Sequence, residues 1–320
     1  MKKILVSLIL LLLIIALIFG LDSWREQEQR QLPGANEQYY KIVSLQLPDT
    51  LSFAGEQVPL EMFYVRESLD RELSVNTYWH SSTLTLIKRS YRWFPMIDSV
   101  LQINGIPPDF RYLAVIESGL ANVISPANAV GFWQFLKGTA KDYGLEVSKD
   151  VDERYHRLKS TQAACDYFQD SYEEFGNWAL VAAAYNAGKN GISRRMEKQK
   201  ASSYYDLLLS DETGRYVYRI LAMKLIFESP ESYGFYIDEN EVYLPIPTHS
   251  VIVNDEVKSW ADFADDYGLS YKLLKYFNPW LRQSSLRNRK KKTYFIQIPN
   301  PPYDLTHEEI VLMKNGINVK

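Results

Sequence analysis

A chain of 320 residues, 46% hydrophobic and 23% charged, has room for one large domain or two modest ones and enough apolar material for a real core. A net charge of -3 with no basic-aromatic module excludes nucleic acid as the natural partner, and one cysteine excludes an internal disulfide. His80, His156, His249 and His307 are dispersed without metal-ligand spacing, which argues against zinc chemistry, Cys165 has no nearby base and reads as a small buried hydrophobe, and no metal or organic cofactor is expected.

Lys2 and Lys3 precede an uncharged apolar run from Ile4 to Leu21, an export signal that keeps its positive end in the cytoplasm and sends the rest of the chain outward. The run just reaches spanning length and lacks clear small residues for cleavage. Residues 1–22 are therefore read as a signal anchor, with residues 4–21 in the membrane. The protein then lies on the periplasmic side of the inner membrane, or is exported if the segment is cleaved. Residues 23–62 read as a polar tether and an extended strap.

Helical periodicity begins near Val65, and the pattern over 63–235 is that of helices packed on helices. One helix is expected around Leu84 to Phe94, another from Met96 to Ile103, ended by Gly105. After the helix opened by Pro107 and Pro108 come Thr139–Tyr143, a polar connection over Asp150–His156, and a helix over Thr161–Phe175. Trp178–Asn186 follows, with alanines for close backbone approach and Asn186 and Gly188 as its C-cap, and Tyr216–Phe227 closes the domain. Beyond Tyr243 the texture changes to short alternating runs and short helices over 245–300, with a basic cluster from Arg287 to Lys292 and a tail over 301–320.

Glu117 stands out. Phe110, Leu113, Ala114 and Glu117 fall at i, i+3, i+4 and i+7, so one helical stripe carries this acid with core residues. Gly119 can close the helix in the left-handed conformation, which puts Glu117 in the last turn. Burial disfavours the anion, and the negative end of the helix dipole acts in the same sense. A carboxyl protonated near neutral pH is what a general acid requires. From position alone, an acid near a helix end also reads as a solvated surface group.

The context of Glu117-Ser118-Gly119-Leu120, Ser125-Pro126-Ala127-Asn128-Ala129, Gly131-Phe132-Trp133-Gln134-Phe135 and Ala183-Ala184-Tyr185-Asn186-Ala187-Gly188 resembles the motifs of the lytic transglycosylases. The group in question has a goose-lysozyme-like catalytic domain (glycoside hydrolase family 23), and the membrane-bound type D enzymes are the nearest in pattern. The resemblance implies a mainly α, lysozyme-like catalytic domain that cleaves the β-1,4 bond between N-acetylmuramic acid and N-acetylglucosamine in peptidoglycan glycan strands, leaving 1,6-anhydro ends. It implies Glu117 as the catalytic acid and then base, with Ser118, Ser125, Gln134, Tyr185 and Asn186 as substrate-binding residues. The loop from Glu117 to Gln134 is one residue shorter than the usual pattern, which bears on Ser125. On the residues alone, Ser118 and Asn186 also read as helix caps, Tyr185 as a core tyrosine, and Trp133 and Phe135 as core. A hydrolytic muramidase and a non-catalytic wall-binding scaffold stay open beside the lyase.

The C-terminal run Phe263-Ala264-Asp265-Asp266-Tyr267-Gly268-Leu269-Ser270, with Asn278-Pro279-Trp280-Leu281 and Phe295-Ile296-Gln297-Ile298-Pro299, resembles a LysM module, a small α+β fold in βααβ order. It departs from that family by carrying Asp255-Glu256-Val257-Lys258 where a Gly-Asp-Thr turn is usual.

Overall fold

The computed structural model describes residues 42–301 together with residues 306, 309 and 312. The expected membrane anchor, the tether and most of the tail lie outside the described residues. Among the described residues no helix is long and apolar enough to cross a membrane. Among the described residues, 45–301 belong to one compact unit.

The strap closes on the helical core instead of running past it. Leu51, Phe53, Val58 and Leu60 are buried, and strands β1 (Ser52–Phe53) and β2 (Glu56–Gln57) form a hairpin turned by Ala54 and Gly55, both at positive φ. The Glu56 carboxylate accepts from Asn177 Nδ2 and from the amides of Trp178 and Ala179. The two amides are orphan donors at the start of a helix, where negative charge is favoured.

Helix α1 (Phe63–Tyr78) is followed by α2 (His80–Ile103), one continuous element where two helices were expected. Pro95 lies inside it and forfeits a backbone bond. Ile97 is buried, and Trp93, Phe94 and Met96 pack on the core, so both sides of the proline are anchored and tertiary packing overrides the local break signal. Then come α3 (Arg111–Ser118), α4 (Lys137–Asp142), α5 (Arg157–Phe175), α6 (Trp178–Ala187), α7 (Lys189–Gln199) and α8 (Asp211–Glu228). Helix α6 buries residues on every side, Ala179 through Ala184, as a central helix must. Helix α7 went unread because it is strongly polar and buries only Gly191 and Ile192. Helix α8 begins before the apolar stripe at Tyr216: Ser210 caps it, and Asp211 and Glu212 occupy its first turn.

The C-terminal module has the expected βααβ order, with β3 (Thr248–Val253), α9 (Trp260–Asp266), α10 (Tyr271–Phe277) and β4 (Tyr294–Pro299). Strands β3 and β4 pair antiparallel from Thr248↔Pro299 to Val253↔Tyr294. Fully buried Asn278 ties α10 to β4, donating to the carbonyls of Leu274 and Gln297 and accepting from the Gln297 amide.

The polar connection Asp150–His156 is also a contact surface for the C-terminal module. It is a docking strip: the Asp152 amide donates to Trp280 O, the Arg282 amide to Asp150 O, and Val151 bridges to Leu281. Its charges are buried because each has a partner, Asp152 with Arg154 at 2.8 Å and Glu153 with Lys159. Part of the basic cluster forms exposed ion pairs with the neighbouring domain, Arg287 with Asp150 and Lys292 with Glu146.

Candidate active site

Helix α3 is positioned at both ends. A 3-10 turn, Pro108–Phe110, leads into it, and Asp109 accepts from the Ala54 amide and from Lys224 Nζ on α8, all at 2.7 Å. Phe110, Leu113 and Ala114 are fully buried, so the helix cannot rotate about its axis without emptying the core. Gly119 closes it at φ 61°, ψ 33° as expected, and its amide donates to Val115 O.

Glu117 therefore sits in the last turn, half-buried, facing α8. Tyr216, 1% exposed, donates its hydroxyl to Glu117 Oε1 at 2.5 Å. Burial holds the Glu117 carboxyl above the usual glutamate range; the Tyr216 hydrogen bond and then the Arg219 charge pull it down, and the Glu212 charge pushes it up. Desolvation wins. Arg219 is fixed one helical turn from Tyr216, where it donates to Ile116 O at 3.1 Å. The phenols of Tyr185 and Tyr216 are both driven well above their ordinary values by burial, and next by the Glu117 charge. Glu117 is thus hydrogen-bonded across α3 and α8 to Tyr216, and its charge also reaches the Tyr185 phenol on α6.

The structure distributes the other sequence-predicted residues in two ways. Tyr185 donates to Trp133 O at 2.6 Å, so its hydroxyl is spent on the loop that carries Gln134. Asn186 is not the cap of α6; Gly188 is, and Asn186 instead accepts from Thr213 Oγ1 at 2.8 Å and reaches Glu212 at 3.4 Å, joining α6 to the start of α8. Ser118, Ser125 and Gln134 are committed to backbone. The Ser118 hydroxyl is shared between Ala114 O at 3.0 Å and Phe132 O at 2.9 Å. Ser125 Oγ accepts from the Ala129 amide, and Gln134, at a left-handed φ of 48°, donates to Gly131 O at 2.7 Å and Val123 O at 3.2 Å. Trp133 and Phe135 are core, as their size suggests.

Sequence reasoning missed Tyr216, Arg219, Glu212 and Thr213. Tyr216 sits on the apolar stripe of α8 and reads as packing. The available signal was its hydroxyl, which in a buried tyrosine needs a partner. Cys165 is fully buried and burial pushes its thiol up to about 12, so it carries no thiolate. Among the described residues no group of three or more His, Cys, Asp or Glu side chains is placed to hold a metal ion.

Residues 96–208 match the transglycosylase SLT domain, and residues 249–302 match the soluble lytic transglycosylase C-terminal LysM-like domain. The chain carries an SLT domain followed by a LysM-like module. Over 274 residues it is 27% identical to membrane-bound lytic murein transglycosylase D of Escherichia coli K12, and equally to that of E. coli O6:H1. The match takes in 82% of this chain and 58% of the relative, so the chain spans little more than half the length of these proteins. A crystal structure of lytic transglycosylase Slt from Pseudomonas aeruginosa aligns with TM-score 0.38 and 19% identity, over 56% of this chain and 33% of that one. The SLT match begins inside α2 and ends after α7, so it includes Glu117, Gln134 and Tyr185 but stops before Tyr216.

Proposed function

We propose that this protein is a peptidoglycan lytic transglycosylase whose acid-base group is Glu117. The observation that carries the reading is a half-buried carboxyl, raised by desolvation, that accepts from the Tyr216 phenol within a domain matching the SLT family. Glu117 gives its proton to the oxygen linking N-acetylmuramic acid to N-acetylglucosamine, and that bond breaks through an oxocarbenium-like transition state. The substrate's own N-acetyl group stabilises the cationic carbon. The carboxylate then takes the proton of the C6 hydroxyl as its oxygen closes on C1, which leaves a 1,6-anhydro end and restores the acid. No second carboxylate is needed in this scheme, and between Glu117 and Asp142 the sequence holds none.

In the same reading Gln134 and Ser125 hold a sugar beside the scissile bond, Ser118 and Tyr185 fix their loop through Phe132 O and Trp133 O, and Asn186 ties that wall of the substrate site to the start of α8. Residues 63–235 act as the catalytic domain and 245–300 as the module behind it. The protein works on glycan strands at the periplasmic side of the inner membrane, tethered through residues 4–21; the E. coli relative is named as membrane-bound.

Mass spectrometry of digested peptidoglycan tests the reading. Anhydro ends, with no added water, are expected from the parent chain, and reducing ends would replace the lyase by a muramidase. Glu117→Gln keeps shape while removing the proton donor, and is expected to lower the rate by about 10²- to 10⁴-fold. Equal rates would remove Glu117 from the reaction.

A further inference from the structure

Where the LysM-like module meets α2 and the start of α5, two adjoining grooves of about 290 and 410 Å³ share Arg92, Trp93, Arg157 and Tyr276 as common walls. Arg157 stacks its guanidinium on Trp93, 4.2 Å from the ring centre, and donates to Tyr276 O at 3.3 Å. Arg92 donates to Leu244 O and to the Tyr276 hydroxyl, both at 2.8 Å. Among the described residues neither arginine has a carboxylate partner, and no Asp or Glu lines either groove. Three polar atoms around this seam are buried without a hydrogen bond: Arg157 Nε, Trp280 Nε1 and Asn122 Oδ1.

A guanidinium withdrawn from water without a counter-ion is costly, and stacking on an indole offsets only part of that cost. Burial depresses the Arg157 group to about 10, Tyr276 opposing the shift and the charge of Arg92 adding to it. His156, beside it, is held neutral by burial at about 4 and accepts from the Lys159 amide. The seam therefore presents two planar forks suited to a carboxylate, over aromatic walls suited to an apolar side chain or ring face. A neutral glycan would leave the forks unused.

We propose that this seam is a second ligand site, which takes the free carboxylate end of a glycan-borne peptide on Arg157 and Arg92 while Trp93 and Tyr276 hold its apolar part. The volumes lie near the lower end of the roughly 300–1,000 Å³ typical of small-ligand sites, enough for a short peptide end and too little for a strand. The choice of ligand rests on the peptidoglycan reading above; the anion site itself does not.

The test is calorimetry on the full chain carrying Glu117→Gln, so that turnover plays no part. The probes are a disaccharide-tetrapeptide, the same compound with its carboxyls amidated, and neutral chitotetraose. The acid probe is expected to bind at least about tenfold more tightly than its amide. Arg157→Gln and Arg92→Gln are each expected to weaken the acid probe by about tenfold and to leave chitotetraose unchanged. If Arg157→Gln fails to fold, Arg92→Gln carries the comparison. Co-sedimentation with intact peptidoglycan separates the sources: an Arg92-dependent loss of pelleting without fragment binding assigns the peptide to uncut strands. Equal binding of acid and amide, or binding and pelleting indifferent to the folded arginine variants, overturns the proposal and leaves the seam a stacked packing contact. A parent chain inert on peptidoglycan that still binds the acid probe through Arg157 would remove the proposed reaction and keep the site. The converse pattern would keep the reaction and remove the site.

Discussion

The protonation of Glu117 is set by opposing neighbours that can be changed one at a time. As a general acid it works while protonated, so activity is expected to fall as pH rises through its raised value. The Tyr216 hydrogen bond favours the anion, hence Tyr216→Phe is expected to move the alkaline limb of kcat/KM to higher pH. Losing that orienting bond should also lower kcat by about tenfold. Glu212→Gln removes a repulsion and should move the limb the other way. The same imbalance has a stability consequence. A carboxyl raised on folding contributes stability that is fully present below its unfolded value and is lost as pH rises through the folded one. Glu117→Gln removes that loss, so its melting temperature is expected to exceed the parent's by a margin that widens from acid to alkaline pH. A margin independent of pH would mean that the carboxyl is not strained by burial.

At the scale of elements, the loop from Val123 to Leu136 depends on a partner distant in sequence. Arg154 donates to Asn128 O at 3.1 Å and Phe135 O at 3.2 Å while paired with Asp152, and both charged side chains are nearly buried. Arg154→Met strands the Asp152 charge and releases both carbonyls, an expected loss of about 3–5 kcal/mol in denaturant unfolding. Gly131 has φ 82°, and an added Cβ would lie 2.0 Å from Arg154 O. Gly131→Ala combines backbone strain with a collision against main chain, so roughly 2–5 kcal/mol is expected, together with reduced activity because Gln134 donates to Gly131 O. Much of this was legible beforehand: the α3 stripe, its glycine stop and the alanine-rich α6 follow from periodicity and punctuation, and the βααβ order from the resemblance of the C-terminal motifs to a LysM module. What stayed hidden depends on pairing across the chain. Nothing local marks Arg154 as a loop clamp or names Glu117 as the acceptor that the Tyr216 hydroxyl needs, and Pro95 reads as a break because the packing that overrides it comes from other helices.

At the scale of the whole molecule, the LysM-like module behaves as part of the SLT domain's interior. Val130, Val151 and Tyr155, at 3%, 1% and 5% exposure, share one apolar cluster with Trp260, Leu274, Trp280 and Ile298 of the module. Val130 lies between Ser125 and Gln134 and is bridged to both Ile124 and Phe135. Removing the module would hydrate these side chains and take away the Trp280 carbonyl that accepts from the Asp152 amide, while Arg154, which clamps the loop, depends on Asp152. A chain ending after residue 244 is therefore expected to melt at a lower temperature. It should also show faster hydrogen exchange at the amides of Val130 and Phe135 than at buried amides of α6, because the loop loses its support while the central helix keeps its own. Leu281→Ala, which leaves the module attached, should reproduce the effect in part, with a loss of about 2–5 kcal/mol from a fully packed site. If the truncated chain keeps its melting temperature and its loop protection, the contacts at Val130 and Val151 cover the loop without supporting it, and the two parts stand independently.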